Sequence, residues 1–122
     1  MSLPASVREP IVYITNLGRD HDYGPAAKWG AIRPITEGNF SIYKTHRILE
    51  EVIAGISDSQ PTDYLALSGA AIICSIAVSV WLTMHGTCQI LIFHPATNSY
   101  QRRSISWDEI RKGFELHDAK QG

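Results

Sequence analysis

Apolar and polar positions alternate along the chain in blocks of recognisable length. Pro10-Ile11-Val12-Tyr13-Ile14-Thr15 is a short run of β-branched and aromatic residues closed by Asn16-Leu17-Gly18. Such a run bounded by turn residues predicts a strand, and its lack of alternation predicts one covered on both faces, as inside a parallel sheet. Tyr64-Leu65-Ala66-Leu67 and Cys88 to Phe93 read the same way. Between the first two runs, Leu49, Val52, Ile53 and Ile56 recur at helical spacing, with Lys44, Arg47, Glu50 and Glu51 turned away from them. This predicts an amphipathic helix over Ser41–Ile56, started by Asn39 or Ser41 and ended by Gly55 and the serines beyond it.

Ala70 to His85 is apolar nearly all round, so it predicts a helix central to the fold or covered by a partner, with Gly86 as its left-handed terminator. Ser75, Ser79 and Thr83 form its least apolar stripe. Small residues at that spacing permit close helix approach, which makes the Ala70–His85 helix a candidate homodimer surface. Pro95–Ser99 predicts a turn into Tyr100–Ile105, whose polar Gln101, Arg102, Arg103 and Ser104 suit an antiparallel edge strand. Ser106 and Glu109 have the spacing of a capping box for a short last helix. Residues 1–9 and 118–122 are expected to be flexible.

Strands alternating with helices imply right-handed crossovers and a mostly parallel sheet. The expected fold is a single α/β domain, a small Rossmann-like three-layer sandwich with an antiparallel edge hairpin. The exception is the stretch from Asn16 to Asn39, broken by four glycines and two prolines, where only Ala31–Ile35 suggests a short edge strand. A connection of that length is either functional or mobile.

Bulk composition narrows the function classes modestly. The chain has 122 residues, a formal charge of −1 and 19% charged residues. That balance gives no reason to expect nucleic acid, although a local basic patch stays open. Cys74 and Cys88 sit in apolar stretches and form no metal-binding or redox pair. The N-terminus has no secretory pattern, which makes a cytoplasmic location the expectation. The uncharged run from Tyr64 to Met84 has the length of a membrane span, but Ser68-Gly69 divides it and no basic residues flank it, so no membrane is expected.

In an open parallel sheet, ligands bind beyond the carboxyl ends of the strands. Those ends present Thr15 and Asn16, then Ser68 and Gly69, then His94. The Ser68-Gly69-Ala70 turn opens directly into a helix, whose N–H groups and dipole favour an anion. The plainer reading is a capping serine and a turn glycine. Arg19 and Arg33 are candidates to neutralise a ligand, and Trp29 to stack on a flat group or to anchor the loop. Asp20, His21 and Asp22 are candidate catalytic groups acting with His94, or else members of a solvated loop.

Three function classes follow. The first is a domain binding a small anionic ligand, a nucleotide or phosphorylated metabolite, through Thr15, Asn16, Arg19, Arg33, Ser68, Gly69 and Ala70. The second is a hydrolase or nuclease-like enzyme using Asp20, His21, Asp22 and His94. The third is a phage-type or regulatory interaction module acting as a homodimer. No motif names a cofactor, and no metal set is evident.

Overall fold

The computed structural model describes residues 8–39 and 41–121. They form a mixed α/β structure of five strands and three helices. The strands are β1 (Ile11–Leu17), β2 (Ala31–Glu37), β3 (Tyr64–Ala66), β4 (Thr87–His94) and β5 (Ser99–Ser106). The helices are α1 (Thr45–Ile56), α2 (Ala71–His85) and α3 (Trp107–Gln121). The sheet order is β2-β1-β3-β4-β5. The first four strands are parallel, and β5 runs antiparallel to β4 with Thr87 opposite Ser106 and His94 opposite Ser99.

Two apolar clusters hold the sheet between them. Tyr13, Leu65 and Cys88 pack with Ile48, Val52 and Ile56 of α1 and with Ile73, Ala77 and Trp81 of α2. Val12, Ile14, Ala66 and Leu91, on the alternate positions of the same strands, pack with Tyr23, Ala26 and Tyr100. The long connection after β1 is therefore a wall of the core rather than a loose lid. It folds into a 3-10 turn at Gly24–Lys28 and then into β2, a parallel edge strand that continues two residues past Ile35.

The first helix differs from its sequence expectation in two ways. It starts at Thr45, one turn later than Ser41, with no side chain capping it. Ile42 and Tyr43 are exposed, so an earlier turn would bury nothing to offset its ordering cost. Its buried stripe is Ile48, Val52 and Ile56, while Leu49 and Ile53 face outward. Gly55 lets the helix close on β2, because a Cβ there would stand 3.0 Å from Ile35 Cγ2.

The remaining boundaries follow the sequence closely. Gly86 ends α2 at φ 73° with its N–H bonded to Leu82 O at 2.7 Å. Ser106 Oγ accepts the Glu109 N–H at 3.1 Å, as the capping spacing requires. Helix α3 runs to Gln121, past the expected fraying point, with Asp108 and Glu109 in its first turn and Lys120 in its last, the charge order a helix dipole favours. The expectation for residues 1–7 lies outside the described residues, and Arg8 is tied to the body through Asp63. No described helix is long and apolar enough to cross a membrane.

Candidate functional site

The carboxyl ends of β1 and β3 meet as the topology requires. Buried Thr15 donates its hydroxyl to Ser68 O at 2.5 Å and accepts the Ser68 N–H at 2.7 Å. Ser68 Oγ lies 2.9 Å from Tyr23 Oη, which also accepts the Gly18 N–H at 2.8 Å. Ser68 thus binds the loop wall and does not cap α2, whose start at Ala70 has no side-chain cap. Gly69 has φ +89°, and a Cβ there would come within 2.7 Å of Asn16 Cβ. That approach is one only glycine allows.

Asn16 is also committed. Its Nδ2 donates to Gly38 O at 3.1 Å, and Thr36 Oγ1 lies 2.8 Å from both Asn16 Oδ1 and Thr15 O. Thr15, Asn16, Ser68 and Gly69 are brought together, but their polar groups are largely spent on one another. The network joins β1, β2 and β3 at the edge where the sheet order turns back.

The candidate catalytic residues do not share a centre. His21 turns inward, with Nε2 2.9 Å from Tyr100 Oη and its ring edge-on to Tyr23 and Phe93. Burial pushes the Tyr100 hydroxyl up to about 12, with Tyr23 and Asp22 adding to the shift, so the tyrosine keeps its proton. Asp22 accepts the Gly24 N–H at 2.8 Å, an Asx turn, and Asp20 is exposed. His94 alternates with Phe93 and so belongs to the opposite sheet face; its Nδ1 lies 3.1 Å from Thr97 Oγ1. Among the described residues, no group of three His, Cys, Asp or Glu side chains is placed to hold a metal ion.

Arg33 lies in the amino-terminal half of β2, opposite Tyr13 in register. It donates to Tyr13 Oη at 3.2 Å, its guanidinium carbon 5.6 Å from that ring centre. Trp29 packs edge-on against Tyr64 as a loop anchor. Neither residue faces the carboxyl edge cluster.

Open space at that edge lies instead over β2 and the start of α1. A concavity of about 470 Å³ is lined by Leu17, Gly18, Arg19, Glu37, Gly38 and Asn39. Asn39 also lines a smaller one of about 240 Å³ with Ser41, Lys44 and Arg47. A third, of about 800 Å³, spreads over Tyr43 to Arg47 and on to Glu50 and Glu51. Lys44, His46 and Arg47 therefore crowd the uncapped start of α1, which has no acidic residue in its first turn. Basic groups there stand at the positive end of the helix dipole, which favours anions, with Glu50 and Glu51 on the next turn. A helix begun at Ser41 places Lys44 and Arg47 along a solvated outer face, which is why the sequence pattern does not single them out.

The amino edge carries the other concentration of charge. Asp63 is fully buried and accepts from Arg8 Nη1 at 2.8 Å and Nη2 at 2.5 Å, from Ile11 N at 2.9 Å and from Gln60 N at 2.8 Å. Burial alone would raise its carboxyl, but Arg8 and the two backbone N–H groups outweigh that and hold it below the ordinary range. Nearby, burial lowers His85, whose Nε2 lies 2.8 Å from Ser59 Oγ.

No curated protein and no solved structure matches the chain. The family model described as Phage Pam3 gp32-like protein matches residues 10–107, which takes in all five strands with α1 and α2 and stops at the first residue of α3. With most of its length inside that match, the chain belongs to the Phage Pam3 gp32-like protein family.

Proposed function

We propose that the chain binds a small anionic ligand, a nucleotide or phosphorylated metabolite, at the carboxyl edge of its sheet, between the ends of β1 and β2 and the start of α1. The observation that carries this is the gathering of Lys44, His46 and Arg47 on the uncapped positive end of α1, next to the concavity that holds Arg19. A phosphate group there would accept hydrogen bonds from the helix start and from the basic side chains around it. The sheet order brings the carboxyl ends of β1 and β2 side by side at this edge. Reading the fold as Rossmann-like, with the Gly24–Lys28 wall standing where a third layer would be, puts the switch point between β1 and β3 beside this cleft. Arg19 keeps the neutralising role the sequence suggested. Lys44 and Arg47 take the place of Arg33, and Ser68 and Gly69 support the floor. The hydrolase or nuclease-like alternative gains nothing from the separate placements of Asp20, His21, Asp22 and His94.

The test is a thermal-shift series with nucleotides, sugar phosphates and inorganic phosphate. A bound anion raises the melting temperature by mass action. The rise is expected to vanish in Arg19→Ala and in Lys44→Ala and to persist in Ser68→Ala. A panel that leaves the melting temperature unchanged throughout, or a rise that survives both basic replacements, overturns the proposal.

A further inference from the structure

The three α-helices all lie on one face of the sheet. Tyr13, Leu65 and Cys88 meet α1 and α2 there, and Ile110 of α3 packs against the same cluster. The alternate strand positions point the other way, and no residue of α1, α2 or α3 belongs to the cluster they form. Only the Gly24–Lys28 wall and the loop around it cover that second face, through Tyr23, Ala26 and Trp29.

What the second face offers to solvent is aromatic and basic. Tyr64 at the start of β3 and Trp29 are both partly exposed, with ring centres 5.4 Å apart and planes crossed at 66°. An edge-on pair leaves a flat face on each ring that the other does not cover. Gln89 lies opposite Tyr64 in register, and Arg102 reaches from β5 to donate to Gln89 Oε1 at 3.2 Å, so the guanidinium belongs to the same face. Exposed Lys28 lines a cavity of about 360 Å³ with Trp29, Pro25, Ser99 and Tyr100.

Neither cation has an acidic partner among the described residues. The strand positions that point to this face include no Asp or Glu. Asp22, whose charge reaches the Tyr100 hydroxyl, spends an oxygen on the Gly24 N–H at 2.8 Å.

From these features we infer that the helix-free face binds single-stranded nucleic acid, with bases stacked on Trp29 and Tyr64 and the adjoining phosphates on Lys28 and Arg102. Rings on an open sheet accept any unpaired base by its flat side, and free cations beside them complement the backbone. A duplex keeps its bases inside the stack and cannot use the rings. The net charge of −1 fits a short contact rather than a long basic groove. This face is separate from the cleft at the start of α1 and does not rest on the anion reading of that cleft.

Fluorescence anisotropy of the full chain with labelled oligothymidylate and oligouridylate, each about 12 nucleotides long, tests it. Both strands are expected to bind, and the matching duplexes about tenfold more weakly, the scale of one stacked base. Trp29→Leu, which keeps an apolar anchor for the loop, should weaken binding by about tenfold as well. Lys28→Gln and Arg102→Gln should each weaken it and lower the slope of log affinity against log salt by about 0.7, one single-strand phosphate apiece. Both cations are exposed, so these two variants keep the fold whatever Trp29→Leu does to the loop. Lys44→Ala should leave the affinity unchanged. Absence of binding, equal affinity for strand and duplex, or an affinity that survives the Lys28 and Arg102 replacements together overturns the inference. So does a loss in Lys44→Ala alone, which would place the strand in the anion cleft.

Discussion

At the amino edge of the parallel strands, one buried carboxylate draws four short hydrogen bonds, from Arg8, Ile11 and Gln60. At the carboxyl edge of the same sheet, Lys44, His46 and Arg47 stand on a helix start that no side chain caps. The first arrangement is electrostatically closed: each oxygen of Asp63 has its partners, and nothing is left to attract a ligand. The second is open, a positive field with no acidic residue in the turn that bears it. Perturbed groups at the two edges thus mean different things. Where partners saturate a charge it holds the fold, and where basic groups gather at a helix start there is room for the proposed anion.

The sharpest way to break the comparison is at Asp63. Replacing it by alanine strands Arg8 and two backbone N–H groups, and should cost about 3 kcal/mol or more in urea unfolding. Its folded carboxyl titrates below the unfolded value, so its contribution is complete above about pH 4 and is lost as the pH falls through the folded value. In Asp63→Asn the acid limb of the stability profile should flatten. An unchanged limb would mean that Asp63 is not the closing charge of this edge.

A smaller effect is expected at Gly69, within the β1–β3 network. Gly69→Ala puts a Cβ against Asn16 at a positive φ and should cost about 1–3 kcal/mol, with anion-induced stabilisation retained. Loss of that stabilisation at unchanged stability would make the network part of the ligand site. Smaller again in stability, Arg47→Ala should stay within about 0.5 kcal/mol of wild type while weakening anion affinity roughly tenfold, the scale of one charged hydrogen bond. Calorimetry at two salt concentrations checks both the loss and its screening.

His85 should give the smallest signal. Burial lowers its folded value, so stability is complete above its ordinary value near 6.5 and declines as the pH falls through the lower folded one. His85→Gln should remove that shallow decline between neutral pH and the Asp63 limb. A profile identical to wild type would assign the decline elsewhere.

How far the sequence carried the reading depended on the range of the interaction. β1, β3, β4 and the Gly86 stop were legible because apolar runs and a left-handed glycine are local signals. The meeting of Thr15 with Ser68 followed from topology alone. What they do on meeting did not, because Tyr23, Thr36 and Gly38 complete their bonds from a loop and a strand without periodicity. His21 was misleading for a related reason: the rings of Phe93 and Tyr100, distant in sequence, join that of Tyr23 in drawing it inward, away from its acidic neighbours. The start of α1 decided the rest. One turn of helix separates a scattered basic face from a positive cluster, and helix ends are set by packing that Ile42 and Tyr43 do not find.

The two outer strands of the sheet also limit how copies can assemble. On one margin β2 carries Pro34, which has no N–H to offer a further strand; on the other β5 presents exposed Arg102 and Arg103. Both are devices that stop a sheet from recruiting another. Neither margin is thus a ready template for strand addition. A protein built this way resists fibre growth through its sheet even when crowded.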